Sequence, residues 1–175
     1  MNVSGKVLVA YATAAGSTEG VASFVADRLR RRGGRVDVIP VDDVPSVEPY
    51  DTVVLGSAVH NRAFLPQATT FAHEHRNTLR TKSVWLFSVG IGPSLRGPLG
   101  RKLGRVVPKH IAAIRDGVEA RDYHAFAGVV PREGSPLMAR VLLRLFGGRY
   151  GDLRDWDAIE SWAGRIPVHQ DVAEM

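Results

Sequence analysis

The 175-residue sequence has no cysteine. Disulfides, thiolate metal sites, iron–sulfur clusters and cysteine nucleophiles are thereby excluded, and a reducing cytoplasm is the simplest home. Redox chemistry, if the protein performs any, must come from a bound cofactor. Long apolar runs are missing too. Nothing approaches the roughly 20 residues of a membrane span, and the opening MNVSGKVLVAYA lacks the basic start and apolar length of a secretory signal, so a soluble or peripheral protein is expected. The formal charge is +5, mostly from arginine, and the pI is about 10.0. No aromatic-interleaved basic stripe, zinc-finger spacing or RNA-binding sheet signature accompanies that charge, so nucleic acid is not expected as a partner. A lipid surface or a carboxylate-bearing substrate suits it better.

What is present is an alternation of apolar runs and amphipathic stretches. Lys6–Tyr11 (KVLVAY) reads as a strand covered on both faces, and Thr18–Arg32 as a helix with Val21, Ala22, Val25 and Leu29 on one side, stopped by Gly33-Gly34. Further strands are expected at Val36–Ile39, Thr52–Gly56, Val84–Val89 and near Ala125–Val130. Between them a second helix is expected at about Pro66–Leu79, with Ala68, Phe71, Ala72, His75 and Leu79 on one face, and a short one in HIAAIRDG. A terminal helix over Asp155–Ile166 carries Trp156, Ile159, Trp162, Ala163 and Ile166 as a stripe behind an Asp155 cap. There is no internal repeat or interdomain linker, and residues 1–175 are expected to form a single domain. Strands that alternate with helices imply a parallel sheet with helices on both faces. In such a sheet ligands settle beyond the carboxyl ends of the strands, where the chain reverses its winding.

Three segments lie at those ends. In YATAAGSTEGVA, residues 11–22, a Walker loop is excluded by the missing lysine and G-x-G-x-x-G by the spacing. An ordinary turn would explain the small residues. So would a seat for a phosphomonoester, with hydroxyls of Thr13, Ser17 and Thr18, close backbone at Ala14, Ala15 and Gly16, and a helix dipole behind them. The second segment, GSAVHNRAFLP, offers Ala58, Val59, His60 and Asn61, whose amides suit the polar edge of a flat heterocycle. The third, SVGIGPSLRGP, leaves its strand through Gly90 and Gly92, where backbone can approach a ligand closely.

KVLVAYATAAGSTEGVA, DTVVLGSAVHN, VWLFSVGIGP and the terminal DWDAIESWAGRI together resemble the flavodoxin superfamily, and more narrowly its small menaquinone-dependent protoporphyrinogen dehydrogenase-like members. The resemblance spans most of the chain. It implies a flavodoxin-like three-layer sandwich with a five-stranded parallel sheet of order 2-1-3-4-5; flavodoxin with its FMN is itself a standard instance of the winding rule. It implies FMN as cofactor, with Thr13, Ala14, Ala15, Gly16, Ser17 and Thr18 at the phosphate. Ala58, Val59, His60 and Asn61 would then lie on one side of the isoalloxazine, and Ser88, Val89, Gly90, Ile91 and Gly92 on the other. The implied activity is FMN-dependent oxidation of a small molecule such as a porphyrinogen, with a quinone as acceptor; the alternative is an electron-transfer or flavin-binding protein without its own substrate. Two departures stand out. Ala12 replaces a Ser or Thr common in these loops, which removes a hydrogen bond of about 1.5–3 kcal/mol, and Phe64 is the sole aromatic candidate for stacking.

Residues 131–154 form a hydrophobic, arginine-bearing insert. Its stretch PLMARVLLRLFGGRY suggests an apolar face of Leu137, Met138, Val141, Leu142, Leu145 and Phe146 with Arg140, Arg144 and Arg149 elsewhere. A core helix explains this pattern, and so does an interfacial helix touching the inner face of the membrane. Upstream, Arg96, Arg101, Lys102, Arg105 and Lys109 could attract an acidic substrate, and the basic charge disfavours a simple electron carrier.

Overall fold

In the computed structural model, which describes residues 5–94, 98, 102, 106–130, 137–145 and 150–169, the first strand, β1 (Lys6–Ala12), sends alternate side chains into two separate cores. Val7, Val9 and Tyr11 enter one, and Leu8, Ala10 and Ala12 the other. Burial on both faces is why its sequence is a continuous apolar run rather than an alternating one. Helix α1 (Ser17–Arg31) follows, burying Val21, Ala22, Val25, Ala26 and Leu29. It ends where Gly33 turns to φ 88°, with Gly33 N–H donating to the Arg30 carbonyl and Gly34 N–H to that of Leu29. This is a glycine stop that satisfies the last carbonyls, and Arg28, Arg30 and Arg31 sit favourably at the negative end of the helix dipole.

The remaining strands are β2 (Arg35–Pro40), β3 (Thr52–His60), β4 (Ala63–Phe64), β5 (Ser83–Gly90) and β6 (Asp122–Ala127). Five of them form a parallel sheet in the order β2-β1-β3-β5-β6, and β4 folds back antiparallel on the end of β3. Counting the full strands, this is the expected 2-1-3-4-5. The helices are α2 (Pro66–Glu74), α3 (Arg76–Leu79), α4 (Lys109–Gly117), α5 (Leu137–Leu145) and α6 (Trp156–Ala163). On one face of the sheet α1 and α6 cover Val54, Phe87, Phe126 and the fully buried Trp162; on the other, α2 and α4 cover Val53, Leu55, Leu86 and Ile111. Each such Leu or Ile removed from water contributes about 1.5–3 kcal/mol.

Several element bounds differ from the sequence expectation. The second helix is interrupted at His75 (φ −98°, ψ 11°), in a run of His, Asn and Thr with weak helix propensity. Strand β3 continues four residues beyond Gly56, because the β4 return holds it in a hairpin. The fifth parallel strand lies at 122–127, not 125–130, since its register is set by β5, from Trp85 opposite Asp122 to Gly90 opposite Ala127. Val129–Val130 instead forms β7, an antiparallel ribbon with β8 (Gly151–Asp152). The Asp155 cap stands: its carboxylate accepts from Ala158 N–H at 3.0 Å.

Candidate functional site

The sheet order reverses between β1, which sends the chain outward to β2, and β3 on its other side. A crevice is therefore expected at their carboxyl ends. Gly16 sits there as the N-cap of α1, in the left-handed region at φ 87° and with no side chain capping the helix. A side chain at Gly16 would meet nothing within 4 Å, so glycine is required there by backbone conformation alone. The Thr13 hydroxyl accepts from Gly16 N–H at 2.9 Å and closes the loop on itself, leaving Ala14, Ala15 and Gly16 exposed at its apex. Thr18 is fully buried, and its hydroxyl has no hydrogen-bond partner among the described residues. An orphaned hydroxyl beside an uncapped helix start is an arrangement that lacks only an acceptor, and a phosphate supplies one.

The other segments converge on this loop. A methyl group placed on Gly128, in the link from β6 to β7, would meet Val89 Cγ1 at 2.9 Å, Gly90 N at 3.7 Å and Ser17 Oγ at 3.8 Å. One placed on Gly90 would meet Val59 Cβ at 3.3 Å. Ser17, Val59, Gly90 and Gly128 therefore meet within a few ångströms, bringing together three expected segments and a fourth. Gly128 was not singled out in the sequence; the available signal was a lone glycine inside AFAGVV, which marks a close backbone approach. It donates its N–H to the Gly90 carbonyl at 3.1 Å.

The remaining expected residues divide by environment. Ala58 and Val59 lie on the extension of β3, half-buried, and His60 is exposed at its end. Asn61 and Arg62 form the tip of the β3–β4 hairpin with φ 49° and 61°, a tight two-residue turn that holds both in the left-handed region. Ser88 is buried, and its hydroxyl shares a 2.7 Å hydrogen bond with Tyr123, whose phenol burial pushes upward in pKa. Ser88 is thus engaged toward the α2–α4 side, whereas Ile91 and Gly92 reach the surface beyond β5. Phe64 is not available for stacking on a flavin: it is 3% exposed and packs in the α2–α4 core. Ala12 also points into that core.

Around the rim, Tyr11 is raised in pKa by burial and by the neighbouring Glu19 carboxylate, to which its hydroxyl is hydrogen-bonded. Arg154 is held by both Asp152 oxygens at 2.9 and 2.6 Å and lies over the Trp156 ring. A side chain at Gly20, in the first turns of α1, would come within 2.5 Å of the Arg154 guanidinium. The arginine thus fastens the β7–β8 ribbon beside the loop helix. In the insert, Arg140 and Arg144 do not lie apart from the apolar residues Leu137 and Val141. Leu137, Arg140, Val141 and Arg144 line one groove together with Tyr150. Lys102 and Lys109 are exposed, while Arg96, Arg101, Arg105, Phe146 and Arg149, and the side chains of Met138 and Leu142, lie outside the described residues. No described helix is long and apolar enough to cross a membrane, and no acid or histidine cluster suited to a metal occurs among the described residues.

A family model for the flavodoxin domain matches residues 8–145, most of the chain. The protein belongs to the flavodoxin-domain family. Its cofactor is FMN, in keeping with the uncapped helix start just described. The flavodoxin-domain chain is 22% identical to the protoporphyrinogen IX dehydrogenase [quinone] of Escherichia coli (strain K12) over 92% of its own length and 94% of that protein. Among solved structures it resembles flavodoxin 1 of Bacillus cereus, with a TM-score of 0.57 and 16% identity over 91% of this chain and 95% of that one. It also resembles the rubredoxin oxygen:oxidoreductase of Desulfovibrio gigas, with a TM-score of 0.58 and 18% identity, covering 93% of this chain but only 35% of that longer one. At these identities the structural likeness concerns the fold.

Proposed function

We propose that this flavodoxin-domain protein is an FMN-dependent oxidoreductase acting on a reduced organic substrate of the protoporphyrinogen type, with a quinone as electron acceptor. The observation that carries the reading is the meeting of Ser17, Val59, Gly90 and Gly128 at the carboxyl edge of the sheet, beside the unpartnered Thr18 hydroxyl. FMN, when bound, supplies the hydride and electron chemistry. The chain's own groups do the rest. Thr13, Ser17 and Thr18 donate to the phosphate, with Ala14, Ala15 and Gly16 giving close backbone and the α1 dipole adding positive potential. The Ala58–Asn61 hairpin and the Ser88–Gly92 segment flank the ring system through backbone and aliphatic contacts, because Phe64, the aromatic expected to stack, is committed to the core.

The likeness to the Escherichia coli dehydrogenase along nearly its whole length supports the substrate class. The formal charge of +5 supports an anionic substrate over the alternative of a simple electron-transfer flavodoxin. Thr18→Val tests the seat directly. Removing an unpaired buried hydroxyl should leave the stability of the FMN-free protein unchanged or slightly raised while weakening FMN binding about ten- to a hundredfold. Titration of flavin fluorescence and urea unfolding read the two effects; unchanged FMN affinity would remove Thr18 from the seat. Oxidation of protoporphyrinogen coupled to a soluble quinone then distinguishes the oxidoreductase from the carrier, which would bind FMN yet turn over no porphyrinogen.

A further inference from the structure

Gly20 is the fourth residue of α1, and it is not among the positive-φ glycines of the described residues. In ordinary helical backbone glycine is about 1 kcal/mol less favourable than alanine, so helix geometry does not explain it. The neighbouring side chain does. A Cβ at Gly20 would lie 2.5 Å from Nη1 of Arg154 and 3.8 Å from its Cζ, so the guanidinium occupies the space that the missing side chain leaves. Arg154 reaches this place from the end of β8. Leu153, just before it, donates its N–H to the Gly128 carbonyl at 3.2 Å, and a side-chain carbon on Gly128 would in turn lie 3.8 Å from Ser17 Oγ. Ser17 and Gly20 are three apart on α1 and share a face. Arg154 therefore lies along the side of the first helical turn that carries Ser17.

The guanidinium is engaged on one edge and uncommitted on the other. Nε and Nη2 donate to the two Asp152 carboxylate oxygens at 2.9 and 2.6 Å, Cζ lies 4.7 Å from the centroid of the Trp156 ring, and the side chain is only 18% exposed. Trp156 itself packs on Phe24, one turn beyond Gly20, at 4.9 Å. Nη1 donates to no acceptor among the described residues. Fastening the ribbon accounts for the Asp152 pair. It does not account for a cation set against the positive end of a helix dipole, a placement disfavoured by about 0.3–1 kcal/mol. An anion at the same helix start reverses that sign. Thr18, in the same turn, calls for one independently, because its hydroxyl is fully buried and unpartnered.

We infer that Arg154 is a phosphate-binding residue of the flavin site: Nη1 donates to the FMN phosphate at the start of α1, Asp152 and Trp156 hold the guanidinium in place, and Gly20 admits it. The assignment rests on the phosphate seat of the proposed function, and it adds a full positive charge to a seat otherwise made of hydroxyls and backbone dipoles. The consequence is selectivity. A phosphate dianion is stabilised by that charge, whereas riboflavin, the same ring system without the phosphate, is not.

The test is the ratio of FMN to riboflavin affinity, measured by flavin fluorescence titration of the full chain freed of flavin, with urea unfolding of the same samples. Arg154→Met keeps an aliphatic stem over Trp156 and removes the charge. It should lower FMN affinity about tenfold or more and leave riboflavin affinity unchanged. Arg154→Lys restores the charge but not the fork to Asp152, and should keep most of the preference. A residue that merely fastened the ribbon would lose affinity for both flavins together, and lysine would not rescue it. Gly20→Ala leaves the Asp152 pair in place, favours the helix and crowds Nη1 out of the first turn. It should lower the preference several-fold without loss of stability, which keeps the test decisive should Arg154→Met fold poorly. Undiminished preference in Arg154→Met or in Gly20→Ala would overturn the assignment and leave the seat standing. Equal affinity of the wild-type protein for the two flavins would instead remove the seat, and with it the ground for Arg154.

Discussion

The sheet with its covering helices, α6 and its Trp162 included, and the segments that project beyond it after residue 90 treat apolar side chains in opposite ways. Among the described residues every exposed large hydrophobic (Ile91, Val106, Val129, Leu137, Val141 and Leu145) lies after residue 90, whereas the strands before it bury theirs almost completely. The first region uses apolar surface to fix a sheet, and the polar groups left at its carboxyl edge include backbone amides, small hydroxyls and the hairpin residues His60, Asn61 and Arg62. The second region keeps apolar side chains open beside arginines, as Leu137 and Val141 are beside Arg140 and Arg144. The contrast separates a buried cradle of strands and helices from an open face next to it.

The sharpest way to test that contrast is to truncate one large side chain in each region. Trp162→Ala removes a side chain that is 2% exposed, packs against Trp85, Phe87 and Phe126, and donates its indole N–H to Asp122 at 2.8 Å. Its expected cost in urea unfolding is about 3–5 kcal/mol. Leu145→Ala, at a residue 72% exposed, should stay within about 0.5 kcal/mol. Comparable costs at the two sites would erase the distinction.

A smaller effect probes how tightly the cradle is packed. A side-chain carbon at Gly56 would come within 2.0–2.5 Å of the Phe87 ring, so Gly56→Ala should cost about 1–3 kcal/mol through overpacking. In a Phe87→Leu background most of that penalty should vanish, and a cycle of the four proteins measures the coupling. Additive costs would mean the ring can move aside and the cradle is softer than its burial suggests.

The smallest effect lies at the sheet edge, where β6 divides the two regions. His124 stacks near Phe126 at 4.5 Å and Trp162 at 6.5 Å. Burial lowers its pKa below the ordinary 6.5, Asp122 opposes that shift and Arg165 adds to it. Below that ordinary value the unfolded chain binds the proton more readily than the folded one. This contribution to stability is therefore complete above about pH 6.5 and is lost as pH falls toward the folded-state value. His124→Phe should flatten the decline in urea midpoint between pH 7.5 and 5.5; an identical decline in both proteins would assign it to other groups.

Much of the architecture was legible because it rests on local chemistry. Apolar runs such as KVLVAY and VWLFSV carry their two-sided burial in composition, Gly33-Gly34 and Asp155 mark helix ends by backbone and capping chemistry, and Gly16 marks the start of α1. The places that escaped were those decided by a partner distant in sequence. Phe64 looked free for stacking until the β4 return buried it, and the AFAGVV run divided because β5 claimed only its first part. Ser88 sits in the expected loop, but its hydroxyl is taken by Tyr123, 35 positions away.

By itself, the sequence determined the alternation of strands and helices, the parallel five-stranded sheet and the three segments at its carboxyl edge, since periodicity, glycine conformation and capping act over a few neighbouring residues. Tertiary structure alone decided that Gly128 joins those segments, that Thr18 is buried without a partner, and that two arginines of the insert line a groove with apolar residues. The reason is physical. Close approach, burial and the matching of donors to acceptors are properties of pairs brought together by folding, and no single residue carries them.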